Sequence, residues 1–236
     1  MSGFPRYAIY YAPNADHPLT RFGAETIGYD AFSGAAILFP PPIEAAQPDW
    51  RALTADPRKY GFHATLKAPF ALAPGASESE LLEACAAFAA TPREVPVIAP
   101  VVDQIGGFVA VIPAQPAAAL AALAADCVAA FDRFRAPLTD ADRARRRPER
   151  LSAAQRANLE RWGYPHVMDD FQFHMTLTGR LDDSRRGPVV AMLRQRFAAL
   201  RIAALPIDRI GVFRQADANA RFRIVHHGPL AQGRQK

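Results

Sequence analysis

Apolar and polar residues alternate through residues 60–70, Y-G-F-H-A-T-L-K-A-P-F. A chain of period two places Phe62, Ala64, Leu66 and Ala68 on one face and His63, Thr65 and Lys67 on the other. The first face is apolar enough for a core. The second presents an imidazole, a hydroxyl and an ammonium in a row. The alternation returns in F-Q-F-H-M-T-L-T-G-R, where Phe173, Met175 and Leu177 alternate with His174, Thr176, Thr178 and Arg180. Strands are therefore expected at 61–69 and 171–179.

Around these strands the pattern predicts further elements. Residues 7–12 are aromatic and β-branched and end at Pro13-Asn14, a strand and turn signal. A polar loop and short helix carrying Arg21 and Tyr29 are expected within 14–33. The prolines of 38–42 exclude a central strand there, and 50–57 reads as a connector. Ser77 with Glu80 forms a capping box, opening a helix whose stripe is Leu81, Leu82, Cys85 and Phe88. Strands at 94–102 and 108–112 flank Gly106-Gly107, a hairpin signal. A long helix is expected over 114–134, a helical region broken by Pro148 over 140–162, and an amphipathic helix over 185–200. Strands at 201–213 and 221–226 close the chain.

The order strand, helix, strand, hairpin, strand occurs twice. A second echo, Asp103-Gln104-Ile105-Gly106 against Asp208-Arg209-Ile210-Gly211, supports an internal duplication. The expected fold class is α+β. It consists of two pseudo-symmetric lobes, each a small antiparallel sheet backed by helices, around a central cleft. The whole of residues 1–236 forms one bilobal domain, with lobes built around 60–135 and 170–228 and a helical linker over 136–169.

Composition narrows the setting. Of the 236 residues half are hydrophobic and 22% charged, as in ordinary globular proteins. The net charge of +5 suits a phosphate-bearing ligand without marking a dedicated nucleic-acid arm. Cys85 and Cys127 lack metal-binding or disulfide-framework spacing. No apolar run approaches the ~18 residues of a membrane span. The first residues also lack a basic stretch followed by an apolar one. A cytoplasmic protein without a membrane partner is expected.

Cleavage of a phosphodiester needs a base for the nucleophile, an acid for the leaving oxygen and donors for the remaining oxygens. Two imidazoles meet the first two needs near neutral pH. A hydroxyl two residues along the same face, about 7 Å away, suits the third. A single strand His is usually structural, but two copies of F-H-x-T-L in matched positions favour catalysis. A metal site built on His63 and His174 is the competing chemistry. It is disfavoured because Thr is a poor ligand and no carboxylate or Cys stands at ligand spacing.

The stretches R-Y-A-I-Y-Y-A-P (6–13), Y-G-F-H-A-T-L-K-A-P-F and F-H-M-T-L-T-G-R together resemble the 2H phosphoesterase superfamily. More narrowly they resemble the phosphonate-metabolism family DUF1045. That resemblance implies His63 and His174 as an acid–base pair, Thr65 and Thr176 holding the phosphate, and no metal or other cofactor. It also implies a small phosphorylated substrate, such as a phosphorylated ribose with a 1,2-cyclic phosphate. RNA is the less favoured partner, in a binding or end-processing role.

Lys67, Arg180, Tyr7 and Tyr10 are further candidate substrate contacts. For Lys67 and Arg180 the competing reading is a solvated cation, and for at least one tyrosine it is core packing. The arginines of 143–150 are interleaved with Asp140, Asp142 and Glu149, as on a solvated helix. His17, His166, His226 and His227 show no partner pattern.

Overall fold

Strand β1 (Arg6–Tyr11) opens a computed structural model that describes residues 3–233. It is followed by α1 (Pro18–Ile27), the short helices α2 (Pro41–Ala46), α3 (Trp50–Leu53) and α4 (Ala55–Tyr60), and then β2 (Ala64–Ala71). Helix α5 (Glu78–Ala90) leads to β3 (Val97–Ile98) and to the hairpin of β4 (Pro100–Ile105) and β5 (Phe108–Pro113). Helices α6 (Ala118–Phe131), α7 (Asp140–Arg145) and α8 (Ala153–Trp162) come next. The remaining elements are β6 (Met175–Thr176), α9 (Asp183–Ala198), β7 (Leu205–Pro206), β8 (Arg209–Gln215) and β9 (Arg223–Pro229).

Local chemistry explains several boundaries. Ser77 and Glu80 form the capping box reciprocally, satisfying orphan amides at the start of α5. Thr139 with Asp142 and Ser152 with Gln155 do the same for α7 and α8. His17 caps α1 by accepting the Leu19 amide at 3.1 Å, which accounts for one histidine without a catalytic pattern.

The strands expected in two small sheets share one seven-stranded antiparallel sheet, ordered β4-β5-β6-β2-β1-β8-β9, with β3 and β7 paired separately. The hairpin that follows β2 in sequence joins β6 instead, and the β8–β9 pair joins β1. The DQIG echo accordingly sits differently in its two copies: it closes β4 at the hairpin turn, whereas DRIG opens β8. The two H-x-T strands are neighbours at the centre, with Ala64 opposite Met175.

Register then assigns the faces. Val102, Val111, Met175, Ala64 and Tyr11 are successive cross-strand partners, and all are buried. Helices α5 and α6 cover this side, where the Tyr7 hydroxyl donates to Glu78 and the Lys67 ammonium donates to the Val128 carbonyl. Helix α9 packs against β4 and β5. The opposite side of the sheet carries His63 and Thr65.

Two irregularities change the expected alternation. Tyr10 pairs with Thr65, but Ile9 pairs with Lys67, so β2 carries an extra residue at Leu66. A bulge of this kind shifts the phase of the side chains that follow, until a second register shift between Lys67 and Phe70 resets it. Lys67 therefore does not share the His63 face as the strict alternation predicted. In the second copy the Leu177 and Thr178 amides both reach the Val109 carbonyl, at 2.9 and 3.3 Å. The Thr178 hydroxyl turns inward and accepts the Val109 amide at 3.0 Å. This interruption leaves β6 far shorter than the expected 171–179. Among the described residues, no helix is long and apolar enough to cross a membrane.

Candidate active site

Extending the Ala64–Met175 pairing by one residue each way sets His63 across from Thr176 and Thr65 across from His174. Side chains directly opposite in an antiparallel pair have Cβ atoms about 5 Å apart and point to the same side. The two motifs thus lie side by side on adjacent strands, and the hydroxyl within reach of the His63 ring is that of its own motif, Thr65. The alternation of each strand made such a face predictable; the pairing that crosses the motifs is a property of the fold.

Both imidazoles are held in the same way. His63 Nδ1 lies 2.8 Å from the Gly61 carbonyl oxygen, and His174 Nδ1 lies 2.8 Å from the Gln172 carbonyl oxygen. A carbonyl can only accept, so Nδ1 carries the proton and Nε2 is left for chemistry. The Gly61 carbonyl is positioned by backbone that a side chain would obstruct. Gly61 has φ +79°, and a Cβ there would fall 2.7 Å from the Ala31 Cβ. His63 Nε2 lies 3.3 Å from the Thr65 hydroxyl.

The surroundings lower the proton affinity of both imidazoles. Burial pushes the His63 imidazole down to about 4, opposed by the Gly61 carbonyl and reinforced by the like charge of His174. Burial also lowers His174, with the Gln172 carbonyl opposing and His166 reinforcing. The Tyr10 ring stacks on His63 with centroids 3.7 Å apart, and Phe213 and Tyr60 lie near its other edges at 6.0 and 6.2 Å. Phe108 stands 5.6 Å from His174.

Beside these groups is a cavity of about 430 Å³, lined by Thr65, His174, Phe108, Tyr164, His166 and Gln172 among others, while His63 and Thr176 are not among its lining residues. Tyr164 and His166 were not legible as site residues. They reach the cavity from the segment after α8, and a G-Y-P-H stretch carries no periodic signal. Among the described residues, no group of three or more His, Cys, Asp or Glu is placed to hold a metal ion.

The other candidates separate clearly. Tyr10 stacks on His63 but is buried and does not line the cavity, so it supports the imidazole rather than facing a ligand as expected. Tyr7, three residues earlier, lies on the helix-covered side with its hydroxyl 2.6 Å from Glu78, because an odd spacing along a strand changes face. Lys67 is 3% exposed and ion-paired with Asp132 at 2.9 Å. Its ammonium is committed to α6 and the segment after it rather than to the cleft. Arg180 is exposed and stands against Gly107 at the β4–β5 turn, outside the lining of the His–Thr cavity. His227 Nε2 is 2.9 Å from the Ala12 carbonyl, a structural contact.

Comparison with known proteins adds a family. The model of a family described as protein of unknown function (DUF1045) matches residues 65–223. Over 228 residues the chain is 36% identical to a protein named ribose 1,5-bisphosphate phosphokinase PhnN of Janthinobacterium sp. (strain Marseille), covering 92% of this chain and 49% of that protein. A protein of the same name from Laribacter hongkongensis (strain HLHK9) is 32% identical over 228 residues, covering 93% of this chain and 50% of that protein. The chain spans about half the length of the curated relatives it matches.

Proposed function

The chain belongs to the DUF1045 family, and from that premise we propose that it is a metal-independent phosphodiesterase of the 2H type. In this reading it opens a small cyclic phosphate, with His63 and His174 as the acid–base pair. The observation that carries the proposal is the matched geometry of the two imidazoles. Each immediately precedes one of two adjacent central strands, with Nδ1 fixed on the carbonyl two residues upstream. That arrangement makes both Nε2 atoms available for proton transfer, with Thr65 and Thr176 beside them as donors.

The reaction follows from those parts. One neutral Nε2 takes a proton from water as its oxygen attacks phosphorus. The other imidazole, protonated, gives its proton to the ester oxygen that leaves. The Thr65 and Thr176 hydroxyls donate to the non-bridging oxygens, where negative charge is concentrated. The ring opens to a phosphomonoester and a hydroxyl, and no group need be supplied beyond water. In place of lobes built around 60–135 and 170–228, we read β4-β5-β6 and β2-β1-β8-β9 as the two related lobes of a 2H fold, in contact through the β2–β6 and β3–β7 pairs.

The relatives' name supports a sugar phosphate as the ligand class, and with it a role in phosphonate metabolism through a ribose cyclic phosphate. Their phosphokinase activity is a different matter. This chain has no G-x-x-x-x-G-K-[ST] stretch, its lysines being Lys59, Lys67 and Lys236. We therefore place the kinase activity of those proteins in the half that this chain does not match.

The deciding experiment is hydrolysis, in the presence of EDTA, of ribose 1,2-cyclic phosphate 5-phosphate, nucleoside 2′,3′-cyclic phosphates and a 2′,5′-linked dinucleotide. Wild type is compared with His63→Ala and His174→Ala. Turnover by wild type that falls at least ~10³-fold in each variant is expected. Turnover abolished by EDTA, or unchanged in either variant, would remove the two-histidine mechanism. Binding of RNA without turnover would favour the nucleic-acid-binding alternative.

A further inference from the structure

Arg6 lies on the same face of β1 as Tyr10, four residues away and so about 13 Å along the strand. Its guanidinium is bonded to a neutral acceptor, Oε1 of Gln215, at 3.0 Å through Nε. It is flanked by the rings of Phe4 at 5.2 Å and Phe222 at 5.7 Å. Arg6 also lines a second cavity of about 280 Å³, together with Arg135, Arg145, Arg146, Thr139 and Gly163. Asp142, which lines this cavity, holds Arg145 and the Thr139 cap, and Arg135 is held by Asp132 at 2.8 Å. The Arg146 guanidinium instead lies over the Tyr164 ring at 4.7 Å.

The two cavities share no lining residue, but Tyr164 lies beside both. Its ring lines the His–Thr cavity, while the preceding Gly163 lines the basic one. Tyr60 makes a further link, because its ring approaches His63 and its hydroxyl contributes to the field at Arg6. Burial and the charges of Arg145 and Arg146 disfavour the Arg6 cation, while Tyr60 and Tyr10 favour it. A half-buried guanidinium held by a neutral amide beside two more arginines is poised for an anion from outside the chain.

We propose that Arg6 and Arg146 form a second anion subsite that takes a terminal phosphate monoester on the substrate. The inference rests on the two-histidine reading for the position of the scissile phosphate and extends it to substrate class. The substrate carries two phosphates on one small framework, one closed as a cyclic diester against His63, Thr65, His174 and Thr176, the other free and held at the arginines. Sugar or nucleoside cyclic phosphates without the second phosphate would lack half of the anchoring. The Arg-rich segment after α6 then acts as a selectivity element, through one of its arginines.

Two measurements test this separately from catalysis. The first is the ratio of kcat/KM for a nucleoside 2′,3′-cyclic phosphate with a 5′-phosphate over the same compound without it, and likewise for ribose 1,2-cyclic phosphate with and without its 5-phosphate. On at least one framework wild type is expected to favour the phosphorylated member by at least ~30-fold. Arg6→Gln and Arg146→Gln should each reduce that ratio by at least ~5-fold. A wild-type ratio near one on both frameworks, or ratios untouched by both substitutions, would overturn the proposal. The second is equilibrium binding of ribose 5-phosphate. It should weaken at least ~10-fold in Arg146→Gln, whose side chain is not needed for β-sheet packing, and persist in the His63→Ala/His174→Ala double variant. Binding that depends on Arg146 without turnover of any cyclic phosphate would sink the phosphodiesterase reading and leave the subsite standing. Binding indifferent to Arg146 would sink the subsite.

Discussion

The Tyr10 ring lies 3.7 Å from the His63 imidazole and within 17° of parallel, while its hydroxyl reaches the Thr65 side chain. One buried residue thereby supports both members of the first H-x-T motif. Tyr10→Phe keeps the stacking and removes only the buried hydroxyl, so a stability change within about 1 kcal/mol and a fewfold drop in kcat/KM are expected. Tyr10→Leu loses the ring face as well, and kcat/KM should fall about 10²-fold with a stability loss of about 2 kcal/mol. Steady-state kinetics beside urea unfolding separates the two effects. Equal kinetic loss in both variants would show that the hydroxyl alone matters.

The lowered pKa values of the two histidines predict an acid-shifted pH profile. Below about 4 the His63 imidazole joins His174 in the protonated form and no base remains. Above the lowered pKa of His174 both rings are neutral and no acid remains. The active form, with one proton shared by the pair, lies between these limits. A plot of kcat/KM against pH should therefore peak on the acid side of the ordinary histidine value of about 6.5. A maximum on the alkaline side would be incompatible with this pair as acid and base.

Acid should also weaken the fold. His63 in the unfolded chain binds its proton near 6.5, whereas the buried ring resists protonation down to about 4. The unfolded state therefore takes up more protons between these values, and stability falls as pH drops through that window. The contribution is complete above about 6.5. About 2 kcal/mol should be lost by pH 4.5, an upper figure because solvent reaches part of the ring. Urea unfolding of wild type and His63→Gln at pH 7 and 4.5 checks this: the glutamine variant should show a smaller decrease between the two conditions.

Lys67 provides a control for the assignment of faces. Lys67→Met removes a buried ion pair with Asp132, but Asp132 retains Arg135 at 2.8 Å. A stability loss of about 1–3 kcal/mol is expected. The folded variant should keep wild-type kcat/KM. A selective rise in KM with unchanged melting temperature would return Lys67 to the substrate cleft.

What the sequence made legible was local. The Ser77–Glu80 capping box, the Gly106-Gly107 hairpin and the His–Thr faces each depend on residues within a few positions of one another. Lys67 was misplaced because the extra residue at Leu66 is created by pairing with β1, and a strict alternation contains no sign of it. The short β6 has a similar cause, since Thr178 turns inward to a partner on β5. Arg6 lay outside the strand expected at 7–12, and only the sheet places Gln215 and Phe222 beside it and Phe213 beside Tyr10. Tyr164 and His166 enter the site through the path of the chain after α8, which no short-range pattern encodes.

The interleaved strand order also bears on how the molecule is assembled. Strand β2 has β1 on one side and β6 on the other, and β1 is in turn closed by β8. A ribosome will have released the first H-x-T strand well before its central neighbour exists. The nascent chain must hold β1 and β2 with two open edges until the second motif and the β8–β9 pair emerge. Contacts of such long sequence separation make folding slow and expose strand edges in the interval. The cleft is thus among the last features to form, and a chain cut between α6 and β6 would yield fragments that complement one another rather than two independent lobes.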